Sequence, residues 1–168
     1  MTTTQTRVSR SETFTAALQA HDLAGISGTL APGVVFHSPV LGKLKFIGPA
    51  EAVRVFGAFF DGITDDEYTS GFEGAQGARV VQGRAMAKRR PIDLMMLLDF
   101  DEQNLFRDIK VFVRPLAGLG AVAAIMAPRL ASPKGNVAVA TARVLAAPVK
   151  GVTGMVDVVA PWLVSHRS

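Results

Sequence analysis

The feature that most constrains this chain is a change of hydrophobic period near Glu67. Before it, apolar residues recur every three or four positions, as on one face of a helix; after it they recur every second position, as along a strand. Phe14, Ala17, Leu18 and His21 share one helical face, and Val53, Phe56 and Phe60 share another, with Gly57 allowing a neighbour to approach. Beyond Glu67 come four segments of strand character: Tyr68–Phe72, Ala78–Lys88, Ile92–Phe100 and Leu105–Arg114. The turn-like stretches Gly74–Gly77, Arg89–Pro91 and Asp101–Asn104 separate them, which predicts an antiparallel meander. Helices followed by a meander is an α+β order.

Local signals place the element ends. Ser9 and Glu12 have capping-box spacing and predict a helix start, and Asp22 predicts a second helix running through Leu23, Ile26 and Leu30. Ala31-Pro32-Gly33 would stop it, leaving Val34–His37 as a short strand ended by Pro39. Pro49 suits the first position of a helix, where its missing N–H costs nothing.

The 168 residues are sized for one domain with one core and an appendage, and 49% hydrophobic against 19% charged residues argues for a packed chain. Absence of cysteine excludes disulfides, thiolate zinc sites and cysteine nucleophiles, and suits a reducing cytoplasm. Met1–Ser9 is polar, so no signal peptide is expected, and Pro115–Pro128 is too short to span a membrane. A soluble, cytoplasmic protein is the expectation. Residues 1–117 carry 13 basic and 13 acidic side chains, so the net charge of +4 resides in the tail. There Arg129, Lys134, Arg143, Lys150 and Arg167 face Asp157 alone. This shift divides the chain into a domain over 1–116 and an apolar, basic helical extension over 117–168. The extension reads as a helix over Leu116–Leu130, a break at Ser132–Gly135, and a second helix with Asn136, Arg143, Lys150 and Asp157 on one polar stripe.

The run Leu30–Val40, the string Phe46-Ile47-Gly48 before a helix with Ala52, and the Asp99–Glu102 turn into Leu105–Arg114 resemble nuclear transport factor 2-like proteins. The resemblance covers about residues 10–116 and is greatest to SnoaL-like domains, which include polyketide cyclases; ketosteroid isomerases and limonene-epoxide hydrolases are related. It implies a cone-shaped, curved antiparallel sheet packed on N-terminal helices around an apolar pocket, with the C-terminal helices outside the family pattern. It also implies where acids would stand. The isomerase base falls at Ser38 and its oxyanion-stabilising acid near Met96. A hydroxyl has no useful basicity near neutral pH, and a thioether donates nothing. For the hydrolases Arg84 matches the arginine, but the two acids fall near Met86 and Val111. Both mechanisms lack their acids on this alignment.

His37, at the end of the first strand, is the candidate catalytic residue, as a general base or a donor to a ligand oxygen. The ligand-binding candidates are Leu94, Met96, Leu98, Ile109, Val111 and Val113 on the inward parity of the last strands, with Phe14, Phe56 and Phe60 from the helices, Ser38, and Arg84 as an anion clamp. Asp93 falls on the opposite parity, and Tyr68 reads first as a packing residue. Met95, Leu97 and Phe112 make the other parity apolar too, so the second sheet face is expected to be covered by the tail or by a second subunit in a homodimer. No basic stripe with stacking aromatics points to nucleic acid, and three histidines without ligand spacing predict no metal. No cofactor is expected. The partner expected is a hydrophobic small molecule, a lipid, polyketide or steroid-like compound, bound with or without catalysis. The alternatives are a cyclase, isomerase or hydrolase working through His37, and a membrane-surface or protein-interaction role for residues 118–168.

Overall fold

The computed structural model describes residues 3–40, 43–73 and 77–131. Its elements follow the order α1 (Thr3–Gln19), α2 (Leu23–Ser27), β1 (Leu30–His37), β2 (Lys45–Ile47), α3 (Pro49–Phe60), β3 (Ile63–Glu73), β4 (Arg79–Ala87), β5 (Arg90–Phe100), β6 (Phe106–Arg114) and α4 (Leu116–Ala131). The expected helices and four-strand meander are present, with shifted ends. α1 starts at Thr3, so Ser9 and Glu12 lie inside it; the Ser9 carbonyl accepts the Thr13 hydroxyl within the helix instead of forming a cap. Asp22 does cap α2, its carboxylate accepting the backbone N–H groups of Ala24 and Gly25. That helix lasts only one turn, and Leu30 belongs to β1. Pro49 is the first residue of α3, and Gly48 before it holds φ = 89°, a conformation open to glycine. A two-residue turn at Lys88 and Arg89, both at positive φ, joins β4 to β5.

The strands form one sheet in the order β2-β1-β6-β5-β4-β3. The expected cone is corrected here. β2 and β3 stand at opposite edges and do not pair, so the sheet is open, and it is mixed because β1 runs parallel to β6 while the other neighbours are antiparallel. A closed sheet needs its edge strands to hydrogen-bond, whereas β2, with three residues, offers little edge to close on. Alternation along the meander cannot reveal this, since it fixes faces and not which strand lies beside β1.

The core lies on one face. Phe14 and Leu18 of α1, Val55 and Phe56 of α3, and Val122 and Ile125 of α4 pack on Leu94, Met96, Leu98 and Ile109. α4 therefore covers the same face as the N-terminal helices. The expectation that the tail coats the other face fails for residues 116–131, and the second tail helix lies outside the described residues. Two glycines set the approach of α4. A Cβ on Gly118 would come within 2.5 Å of Ile92 Cγ2, and one on Gly62 would overlap Ile125. Among the described residues no helix is long and apolar enough to cross a membrane.

Candidate functional site

The pocket is assembled from strand register. Leu94 pairs with Val113 and Met96 with Val111, so β5 and β6 present these four side chains together on the helix-covered face. α3 lays Val55, Phe56 and Phe59 over them, α1 adds Leu18, and β1 adds Phe36 with Pro39 just beyond it. Val122 and Met126 of α4 close the remaining side. Every one of these residues is apolar, and the open volume left between them is about 30 Å³. That is room for a water or two, far below the roughly 300–1,000 Å³ of a small-molecule site.

One lining residue carries a polar atom in its side chain: Tyr68. Its inward direction depends on a bulge. Ile63 and Tyr68 are both buried although five positions apart, because the register of β3 slips between Thr64 and Glu67, with Asp65 at φ = 54°. Gln19, the last residue of α1, holds this stretch from both sides. Its side chain donates to the Asp66 carbonyl at 2.9 Å and accepts from the Tyr68 N–H at 3.1 Å. Opposite Tyr68 stands Gly83, where a Cβ would lie 2.7 Å from the tyrosine ring and 2.8 Å from Leu94, so glycine makes the bed for the ring. Tyr68 is 9% exposed, and its fully buried hydroxyl lies beside the Asp66 carboxylate. The Asp66 carboxylate acts on it through its charge and as a hydrogen-bond acceptor, and is itself bonded to His21 Nε2 at 2.8 Å. Burial first, then the Asp66 charge and the hydrogen bond to it, push the phenol above its ordinary value.

A second cluster lies on the opposite face. Phe36 points into the pocket, so His37 points away from it. There His37 Nε2 is 2.6 Å from Asp108 Oδ2, while Lys110 Nζ is 2.8 Å from Asp108 Oδ1 and 3.6 Å from Asp99 Oδ2. Burial would raise the Asp108 carboxyl; hydrogen bonds and charge from Lys110 and His37 outweigh it and hold it below the usual carboxylate value. Among the described residues no three histidine, aspartate or glutamate side chains gather as metal ligands would.

Comparison with known proteins places this architecture. A SnoaL-like domain profile matches residues 11–104, more than half of the chain. The chain belongs to the SnoaL-like domain family. No curated protein matches it. Among solved structures it is similar to a steroid delta-isomerase from Pseudomonas aeruginosa, 25% identical with a TM-score of 0.69 over 77% of this chain and 94% of the other. It is also similar to an uncharacterised protein with a cystatin-like fold from Silicibacter pomeroyi, at 20% identity and TM-score 0.64 over 70% and 82%. An NTF2-like protein of unknown function from Mesorhizobium loti follows at 14% and 0.56 over 68% and 96%. α4 lies beyond the matched SnoaL-like segment.

Within this SnoaL-like protein the anticipated site residues separate into three groups. Phe56, Leu94, Met96, Val111 and Val113 come together in the pocket. Phe14, Leu98 and Ile109 are fully buried in the core beside it, and Phe60 stacks on the His21 ring at 4.2 Å between centroids. Ser38 follows β1 and its hydroxyl accepts the Val40 N–H. His37 and Arg84 lie on the other face, which corrects their expected place in the pocket; Arg84 is exposed and pairs with Glu67 at 2.6 Å. Asp93 faces the same way, bonded to Arg114 at 2.9 Å. The isomerase-acid position at Met96 and the hydrolase-acid position at Val111 both open on the pocket and carry apolar side chains. The lining residues that sequence reasoning left out are Leu18, Phe36, Pro39, Val55 and Phe59, together with Tyr68, whose inward turn depends on the bulge, and Val122 and Met126, whose helix was expected elsewhere.

Proposed function

We propose that this SnoaL-like protein binds a small apolar molecule, of lipid, polyketide or steroid-like character, between β5 and β6 and helices α3 and α4. An enclosed wall of apolar side chains from helices and sheet carries this reading, since small-molecule sites are lined mainly by such residues. The similarity to a steroid delta-isomerase supports an apolar ligand. Turnover through His37 is not part of the reading, because its imidazole faces away from the pocket. Mass spectrometry of the gently purified protein, native and then solvent-extracted, tests it. The expected result is a stoichiometric hydrophobic molecule released by the solvent. A protein that is empty, and that takes up no apolar probe at the probe's solubility limit, overturns it.

A second reading concerns the other sheet face, which we propose pairs with a second copy of the chain. Strand register sets Glu67, Arg84, Asp93 and Arg114 side by side across β3, β4, β5 and β6, so charges alternate in sign along one row. Met95 and Phe112 occupy the next row, 41% and 51% exposed. A row of alternating charge matches itself when a copy faces it reversed, and such complementarity fixes register between partners.

A further inference from the structure

We propose that the tip of the β4–β5 hairpin, Lys88-Arg89-Arg90, docks on an anionic lipid surface, with Leu116 at the head of α4 entering the headgroup boundary beside it. Uncompensated positive charge accumulates at this tip. Lys88, Arg89 and Arg90 are all exposed, and among the described residues no ion pair or side-chain hydrogen bond holds any of them. The arginines around them are taken: Arg84 by Glu67, Arg114 by Asp93 and Arg129 by Asp61. Those pairs also match the acids of the flanking elements, and Asp66 is bonded to His21. That leaves Asp65, which accepts the Thr64 hydroxyl, against three bases.

Local backbone preference runs against these residues. Lys88 and Arg89 are the two turn residues, at φ = 49° and 65°. A two-residue turn with both residues at positive φ is suited by Asn-Gly, and a residue with a Cβ is strained there. Being exposed, neither side chain offsets that strain by packing. An apolar residue stands beside them. A Cβ on Gly118 would lie 3.3 Å from the Pro91 carbonyl oxygen, so the first turn of α4 rests on the strand just after the tip. Arg114 pairs in register with Asp93, so Leu116, two residues on, emerges near the level of the turn and is 46% exposed. Bases beside an exposed leucine suit a bilayer with anionic headgroups, where each base near the surface adds attraction and the apolar side chain enters the interface. Single-stranded nucleic acid is met by a longer basic groove with aromatic rings for its bases. Here the flanking residues are Met86, Ala87, Pro91 and Leu116, none of them aromatic.

Co-sedimentation of the full chain with vesicles tests the proposal, using phosphatidylcholine alone and phosphatidylcholine mixed equally with phosphatidylglycerol. The chain should pellet with the mixed vesicles and not with the neutral ones. It should be released as salt rises toward about 1 M, where charges are screened beyond about 3 Å. Lys88→Asn with Arg89→Gly and Arg90→Gln removes the three charges and gives the turn residues its backbone favours, so this variant should melt no lower than the parent. It should need about 100-fold more mixed lipid for half-binding, and Leu116→Ser about tenfold more. Removing three charges from the tail instead, by Arg143→Gln, Lys150→Gln and Arg167→Gln, should weaken binding less than the tip variant does. Equal pelleting with both vesicle types, undiminished binding by the tip variant, or a tail variant that loses as much as the tip variant each overturns the assignment. So does a parent that ignores the mixed vesicles but retains single-stranded RNA through the tip, which would then belong to nucleic acid.

Discussion

Asp108 sits between His37 and Lys110 on the exposed sheet face, with Asp99 on the far side of the lysine. Its lowered carboxyl means that the folded state binds a proton there less readily than the unfolded chain. Such a group stabilises the fold above its unfolded value, near about 3.9 for aspartate, and that stabilisation is lost as pH falls toward the lower folded value. Lys110, pushed up mainly by its hydrogen bond to Asp108, stays charged throughout this window. Urea midpoints measured between about pH 5 and pH 3 should therefore fall with pH in the parent and fall less steeply in Asp108→Asn; parallel curves would remove the coupling. This partnership was hidden in sequence. His37 and Asp108 are 71 positions apart, and they meet only because β1 lies beside β6. Parity alone assigned Leu94, Met96, Val111 and Val113 to one face, because their strands are regular. His37 was expected in the pocket from its place at the end of the first strand in the resembled family, whereas alternation with Phe36 turns it to the other face. Tyr68 is the converse case: its face is decided by an extra residue in β3 that no alternation pattern records.

At the scale of elements, α4 forms part of the pocket wall. Val122 and Met126 line one side of the pocket, and its open volume of about 30 Å³ leaves no space for a drug-sized ligand. The proposed ligand would need α4 to shift or the Met126 side chain to swing aside, a motion its unbranched chain allows. The helix is held by contacts that can be altered one at a time. Arg54 Nη1 donates to the Leu130 carbonyl at 2.9 Å, Arg129 reaches Asp61, and Ile125 rests on the bare backbone of Gly62. Gly62→Ala places a methyl group where Ile125 lies, an overpacking that costs about 1–3 kcal/mol of stability. It should also raise the fluorescence of added 1-anilinonaphthalene-8-sulfonate, as the wedge lifts α4 and exposes the wall beneath. Adding Ile125→Val should recover part of the stability and lower the dye signal. Unchanged dye binding in the single variant would show that α4 does not gate the pocket. Sequence showed this helix, through its apolar run after Pro115, but not its docking site. A helix with apolar residues on most sides suits either face of a two-sided sheet, and Gly62 and Gly118 read as ordinary loop and helix glycines until the partner is placed.

For the whole molecule, the order of elements was legible because helical and strand periods differ so clearly on either side of β3. The shape of the sheet was not, since openness depends on which edge strands meet. An open sheet with helices on one face leaves the other face to be accounted for. Phe72, Met95 and Phe112 are exposed there at 59%, 41% and 51%, too much apolar surface to leave to solvent without consequence. The alternating row of Glu67, Arg84, Asp93 and Arg114 gives that surface a preferred orientation against a reversed copy. Light scattering coupled to size-exclusion chromatography should accordingly give twice the chain mass, falling toward the single chain on dilution. Phe112→Glu should shift the protein toward monomer by burying an unpaired charge at the centre of the contact. Arg84→Glu should do so more weakly, placing like charges in the row, while the double change Glu67→Arg with Arg84→Glu preserves the alternation locally and should restore part of the association. A parent protein of single-chain mass at all concentrations would remove the second copy from this face. Equal dimer content in Phe112→Glu would move the contact to another surface.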